Sequence, residues 1–305
     1  MSTDPSKDIL LLTSAGGRQA AALLPLLKQW KKLRLIVKST ASRDRLLSQY
    51  AHAEVIKTDL YSPHICAALI EDVSVIIHVA PSYHPHEAEI GKMLIDAAVE
   101  SHDNGAGPFK HFILSSILNT QLSRMMNHDS KRVVEEYIME SGLPYTILQP
   151  TTFMDNIHIS MLAKQNKPEF KAAWDADTKF SMIALSDLAA AMKLVLYQRQ
   201  RHIHAQYPLV GTQKTISFAE AMDVISRKIG KEVKIEKLEY KEAVEGLLVR
   251  LFGTSEGINT RNRDVAQRMV LFYDNRGLVG NSNVLEWLLG RKALQFEEWV
   301  ETKLR

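Results

Sequence analysis

Over the first 150 residues, short apolar runs alternate with stretches in which apolar positions recur every three or four residues. The runs lie at 9–12, 33–37, 54–59, 73–79, 111–116 and 145–149, and the helical stretches at 21–30, 41–50, 62–70, 88–101 and 125–141. Most runs are apolar at successive positions, so each strand must be buried on both faces. Helices packed on either side of a parallel sheet satisfy that demand. The first half of the chain is therefore expected to form an α/β fold around a doubly wound parallel sheet. Asn104-Gly105-Ala106-Gly107-Pro108 reads as a surface loop before the fifth strand.

Beyond Pro150 the alternation loosens. Residues 167–179 are polar, 186–197 and 217–229 read as helices, and 232–236 alternates like a half-exposed strand. Ser186-Asp187 is placed to cap the first helix, Thr215 precedes the second, and Gly230 ends it. The reading is a doubly wound α/β domain over 1–155 and a smaller α+β domain over 156–305. Some elements of the second part are able to return to the main sheet.

The 305 residues, 46% hydrophobic and 24% charged, are enough for one large core or two ordinary ones. A net charge of +3 with acids and bases interspersed gives no reason to expect nucleic acid. The single cysteine, Cys66, excludes an intramolecular disulfide framework and fits a reducing, cytoplasmic setting. Residues 1–8 are polar, and the apolar stretch 182–196 is broken by Asp187 and Lys193, so neither a signal core nor a membrane span is expected.

The first run feeds into Thr13-Ser14-Ala15-Gly16-Gly17-Arg18-Gln19-Ala20 and then a helix. Such a turn cradles phosphate, because the first amides of a helix have no partner within it. In a G-x-x-G-x-x-G spacing the glycine positions fall on Ser14, Gly17 and Ala20, so only the middle one is kept. Ser14 adopts the tight turn only with strain or with help from its hydroxyl, and Gly16 is expected to restore part of the lost flexibility. Sites that prefer NAD carry an acid at the end of the second strand, whereas a 2′-phosphate wants a cation. Here Val37-Lys38-Ser39-Thr40 contains no acid, and Arg43 follows. The expected cofactor is NADP(H), with Lys38 on the phosphate and Ser39 as a donor; the plainer reading makes Lys38 a solvated residue after a strand.

Four segments carry a resemblance: the turn at 13–20, Asp59-Leu60 after the third strand, Leu114-Ser115-Ser116 at the end of the fifth, and the long run from Lys131. That run continues Lys131-Arg132-Val133-Val134-Glu135, then Gly142-Leu143-Pro144-Tyr145-Thr146-Ile147-Leu148-Gln149-Pro150, then Phe153-Met154-Asp155-Asn156. Together they resemble the NmrA-like branch of the atypical short-chain dehydrogenase/reductase superfamily, and the tail at 273–291 looks like filamentous-fungal members. The resemblance implies a Rossmann-type dinucleotide-binding domain over 1–155 with a substrate domain over 156–305, and that Thr13, Ser14, Gly16, Gly17, Arg18 and Gln19 surround the phosphates. It adds Asp59, Leu60, Ala80, Pro81, Ser115 and Lys131 along the cofactor, and lays Pro150 and Phe153 against the nicotinamide.

The usual chemistry of that superfamily needs Tyr-x-x-x-Lys, in which the lysine helps the phenol exchange a proton with the substrate. With Lys131 as the lysine, the tyrosine position is Asn127, which cannot do this work. Lys131 is left either to hydrogen-bond the nicotinamide ribose, as the resemblance implies, or to act as an acid. His128, three residues before it on the same helical face, is a substitute proton donor or a surface histidine at a helix start. Tyr83 and His84, after the fourth strand, lie where doubly wound folds bind ligands. His84-x-His86-Glu87 has no second cluster to complete a metal site, so no metal is expected. His78 reads as a core or sheet-edge histidine. Ser116, Met154, Asn156 and Trp174 are candidate substrate contacts, with ordinary core packing as the competing reading.

Three functions are in keeping with these residues. One is an NADP(H)-dependent reductase of a small, largely apolar metabolite. Another is an NADP(H)-sensing regulator that docks a protein partner. A lyase, isomerase or cyclase using the same pocket is the third.

Overall fold

A computed structural model describes residues 4–81, 83–103 and 108–304; residues 104–107 of the expected loop lie outside them. The first strands are β1 (Ile9–Leu12), β2 (Lys32–Val37), β3 (Glu54–Lys57), β4 (Val75–Val79), β5 (His111–Ser115) and β6 (Tyr145–Pro150). The helices between them are α1 (Arg18–Leu23), α2 (Thr40–Gln49), α3 (Pro63–Ile70), α4 (Glu87–Asp103) and α5 (Met126–Glu140). The second half supplies β7 (Thr152–Phe153), α6 (Ile159–Lys164), β8 (Glu169–Ala172), β9 (Lys179–Phe180), β10 (Met182–Ile183), α7 (Leu185–Tyr197) and β11 (Ala205–Leu209). It ends with β12 (Ile216–Ser217), α8 (Phe218–Ile229), β13 (Lys234–Lys237), α9 (Tyr240–Phe252), α10 (Thr260–Asn275), α11 (Asn283–Leu289) and α12 (Phe296–Leu304).

Seven strands form the main sheet in the order β11-β6-β5-β4-β1-β2-β3, and the strands from β3 to β6 run parallel. The chain winds outward from β1 to β3, then crosses back to β4 on the other side of β1. Ligands of doubly wound sheets bind at this reversal, beyond the carboxyl ends of the strands. The successive apolar residues of the central strands are buried: Leu10, Leu11 and Leu12 of β1, and Val75, Ile76 and Ile77 of β4, are inaccessible to solvent. Leu11, Ile76, Phe112 and Ile147 form one core with Leu94 and Ala98 of α4 and Val134 and Ile138 of α5. Helices α4 and α5 approach closely, since a Cβ at Gly91 would lie 2.6 Å from Val134 Cγ2. Pro208 sits in β11 at the edge of the sheet, where a missing N–H costs no ladder bond.

Local chemistry sets the element ends, in places differently from the sequence reading. The helix expected at 21–30 starts earlier, at Arg18, and stops at Leu23. Pro25, which has no N–H to give, turns the chain into a 3₁₀ turn over Leu24–Leu26. The third strand ends at Lys57, two residues short of Asp59. Helix α7 begins at Leu185, before the Ser186-Asp187 pair expected to cap it, and the Asp155 carboxylate accepts the Leu185 N–H at 2.9 Å. Asp187 instead accepts the Leu294 N–H and an Arg291 N–H, each at 2.7 Å. Helix α8 carries a capping box between Ser217 and Glu220 and ends at Gly230 with φ 68°.

The chain divides into two compact units that interleave along the sequence. The first holds residues up to Thr120, 130–149 and 188–207; the second holds 121–129, 150–187 and the residues from Pro208 on. The second unit pairs β7 with β10, β9 with β12 and β8 with β13. Its aromatic core gathers Trp174, Phe180, Phe218 and Tyr273, with ring centroids 5.1–6.1 Å apart. Among the described residues, no helix is long and apolar enough to cross a membrane.

Candidate functional site

The turn after β1 has the backbone that its sequence left in doubt. Ser14 takes a left-handed conformation, φ 50°, at the first glycine position of the spacing. Gly17 is the residue before α1; no side chain caps that helix and its first turn contains no acid. A Cβ on Gly17 would stand 3.1 Å from the Ser14 carbonyl, so glycine keeps the approach to the helix start open. Gly16 has a different task from the flexibility expected of it. Its φ is not positive, but a Cβ there would lie 2.6 Å from Ser42 Oγ, so it permits close contact with the start of α2. Arg45 braces the same turn, donating to the Gly16 carbonyl at 3.2 Å. The Ala15 and Gly17 N–H groups are themselves paired, with the Ile36 and Ser14 carbonyls at 2.9 Å, whereas the start of α1, with no side-chain cap, no Cβ at Gly17 and no competing acid, fits a pyrophosphate group.

Around this turn the ends of the strands meet. Thr13 bonds across the reversal to β4: its Oγ1 accepts the Val79 N–H at 2.9 Å and lies 3.0 Å from the Val79 carbonyl and 2.9 Å from His78 Nδ1. His78 is fully buried, and that burial, reinforced by the charge of Lys131, pushes its pKa down to about 3. Gln19 of α1 accepts the Ser115 hydroxyl at 2.8 Å, tying the helix to the end of β5. The Ser116 hydroxyl beside it is buried with no hydrogen-bond partner among the described residues.

Lys38 and Ser39 are exposed beyond β2, and Ser39 caps α2 by accepting the Ser42 N–H at 3.2 Å. Asp59 is exposed beyond β3, accepting the Tyr61 N–H at 3.0 Å, while Leu60 is buried. His84 is half-buried near both Lys38 and Asp59. Burial first, then the Lys38 charge, holds its pKa below the ordinary histidine value, with Asp59 opposing them. His84 Nδ1 accepts the His86 backbone N–H at 3.2 Å, and His86 stacks on Tyr61 at 3.9 Å. Among the described residues, no three histidine, cysteine or acidic side chains are grouped to hold a metal.

Lys131 is paired. Its Nζ donates to Glu87 Oε1 at 2.6 Å, with the Glu87 side chain 3% and the Lys131 side chain 10% exposed. The other Glu87 oxygen accepts the Tyr83 N–H at 3.1 Å, and Tyr83 is itself left-handed, φ 66°. Ala80 and Pro81 lead from β4 into this arrangement. One turn after Lys131, the buried Glu135 carboxylate accepts the Thr120 hydroxyl at 2.9 Å and the Gln149 amide at 2.9 and 3.0 Å, fixing α5 against β6. Sequence reasoning missed the roles of Glu87, Glu135 and Arg45. The signal for the first two was an acid on the core-facing side of an amphipathic helix, which is costly unless paired.

The other candidates belong to the second unit. His128 is fully buried, not the surface histidine that its place near a helix start suggested; its backbone N–H donates to the Met125 carbonyl at 2.8 Å, and the buried Asn127 precedes it. Pro150 ends β6, Phe153 is half-buried in β7, Met154 is inaccessible, and Asn156 is half-buried. Trp174 is half-buried in the aromatic core described above.

A model of the NmrA-like family matches residues 6–302. The NAD(P)H azoreductase of Xenophilus azovorans is 25% identical over 268 residues, covering 85% of this chain and 86% of that protein. Among solved structures, an NADPH-dependent quinone oxidoreductase of Escherichia coli, complexed with NADPH, aligns with a TM-score of 0.74 at 20% identity, over 97% of this chain and 100% of that one. NmrA, a negative transcriptional regulator in complex with NAD, aligns at 0.72 and 18% identity over 97% and 95%.

Proposed function

The chain belongs to the NmrA-like family, and from that premise we propose that it is an NADP(H)-dependent reductase of a small, largely apolar acceptor. One observation carries the reading: the uncapped, acid-free start of α1 after Gly17 lies at the reversal of the sheet. The start of α1 holds the pyrophosphate, Arg18 and Gln19 flank it, and Lys38 and Ser39 take the 2′-phosphate. Asp59 and Leu60 face the adenine end. Ser115 and Lys131 are the first-unit residues assigned to the nicotinamide ribose. A reduced nicotinamide bound there supplies a hydride.

The chain's own residues then limit the acceptor. Asn127 offers no proton in place of a tyrosine, and the Lys131 ammonium is already shared with Glu87. Acceptors whose reduction needs no buried acid suit this site, such as conjugated alkenes and iminium ions, with any proton drawn from water. The names of the azoreductase and the quinone oxidoreductase point to acceptors of the same conjugated kind. The buried, unpaired Cys66 is in keeping with a cytoplasmic setting.

A titration with NADPH, NADP⁺, NADH and NAD⁺, followed by tryptophan-to-nicotinamide energy transfer and by calorimetry, tests the reading. The expected result is at least about tenfold tighter binding of NADPH than of NADH, a difference of ~1.4 kcal/mol. Failure to bind any of the four overturns it. The paired Lys131 and the missing tyrosine favour one other reading, a redox-sensing regulator that docks a protein partner. That reading gains if NADPH binds and no quinone, azo compound or activated alkene is turned over.

A further inference from the structure

Burying the Glu87 carboxylate is expensive unless its charge is met. Three groups of the first unit meet it. Lys131 Nζ lies 2.6 Å from one oxygen, the Tyr83 N–H lies 3.1 Å from the other, and Glu87 opens α4, where the helix dipole favours an anion. The arrangement is unequal. Without Lys131, Glu87 keeps the Tyr83 amide and the helix end. Without Glu87, the Lys131 ammonium loses its acid, and Tyr83 loses a contact that helps hold its left-handed backbone. The close approach of α4 and α5 at Gly91 and Val134 gives the two side chains little room to separate.

We propose that Glu87 is a positioning residue: it fixes the Lys131 ammonium, together with the backbone at Tyr83, in the arrangement a bound nicotinamide cofactor meets. The inference rests on the cofactor reading above and adds how Lys131 is held there. Lys131 acts as a charged hydrogen-bond donor with a carboxylate behind it, dividing its N–H groups between Glu87 and a ligand hydroxyl. Proton donation to the acceptor is then no part of its task.

A double-mutant cycle separates positioning from a merely structural clip. Glu87→Gln, Lys131→Met and the double variant are compared by NADPH Kd, by kcat and KM for a quinone or azo acceptor, and by melting temperature. Each single substitution should raise the NADPH Kd about tenfold and lower kcat about a hundredfold with the acceptor KM little changed, and the double should be no worse than Lys131→Met alone. If the effects on Kd multiply instead, Glu87 does not act through Lys131 and the proposal is wrong. Should Glu87→Gln not fold, Glu87→Asp keeps the charge and shortens the arm. It should melt close to the parent yet bind NADPH more weakly, and an unchanged Kd in the folded Asp variant also overturns the proposal. Wild-type protein that binds no dinucleotide removes the cofactor reading itself, whereas normal wild-type binding with a multiplicative cycle removes only the role of Glu87.

Discussion

The turn after β1 and the cluster after β4 border the same reversal of the sheet, yet they are built on opposite plans. The turn offers backbone: Gly17 and Arg18 are exposed, no side chain caps α1, and the geometry rests on a left-handed Ser14. The cluster offers side chains: a buried carboxylate, an ammonium drawn to it, and a left-handed Tyr83 held by the same carboxylate. The first arrangement keeps a helix start open by leaving atoms out. The second keeps a charge in place by surrounding it. Changes in the turn should therefore act on ligand affinity with little effect on stability, and changes in the cluster should act on both.

The sharpest way to break this contrast is Lys131→Ala. It strands Glu87 without its cation, and loss of one partner of a buried pair typically costs about 3–5 kcal/mol. Denaturant unfolding should show a fall of that order. A loss below ~1 kcal/mol would mean that the Tyr83 amide and the helix end suffice for Glu87, and the cluster would then resemble the turn.

His78 lies at the seam, bonded to Thr13 of the turn and close to Lys131 of the cluster. Its folded pKa is about 3, against an ordinary value of 6.5, and His111, buried elsewhere in the same unit, is also pushed down to about 3. The unfolded chain takes up these protons below pH 6.5, while the folded rings stay neutral until about pH 3. Their contribution is therefore present above pH 6.5 and is lost as the pH falls, by about 1.4 kcal/mol per pH unit for each ring. Urea midpoints between pH 7 and pH 5 should fall accordingly. His78→Asn should flatten that dependence, and an unaltered slope would show that His78 does not stay neutral.

The smallest expected effect is in the turn. Ser14→Gly relieves a left-handed residue at a cost L-amino acids otherwise bear, and should stabilise the protein by about 1 kcal/mol at most, the gain being offset in part by unfolded-state entropy. The NADPH Kd should stay within about twofold, because the amides are already in place. A large loss of affinity would assign the Ser14 hydroxyl, not the backbone, to the ligand.

Apolar runs made the central strands legible, because burial on both faces leaves a signal in every residue. Helix ends were legible where the cap is local, as at Gly230, and missed where it is distant. The Asp187 carboxylate answers to Arg291, 104 positions away, and the cap of α7 comes from Asp155. Pro25 was visible, but its power to end α1 was not weighed against the apolar spacing that runs on to Trp30. In the candidate site, the turn between β1 and α1 could be found from one surviving glycine because its neighbours along the chain complete it. Glu87 and Lys131 could not be paired from sequence, since 44 positions separate them and only the packing of α4 on α5 brings them together.

The place of β11 also bears on how the protein is made. The sheet that begins at Ile9 gains its last strand from residues 205–209, after the chain has already passed through residues 150–187 of the second unit. During synthesis the β6 edge therefore waits, bare and able to pair with any passing strand, until Leu209 has left the ribosome. Once β11 docks, Pro208 blunts the new edge, so the danger of strand-mediated aggregation belongs to the nascent protein more than to the finished one.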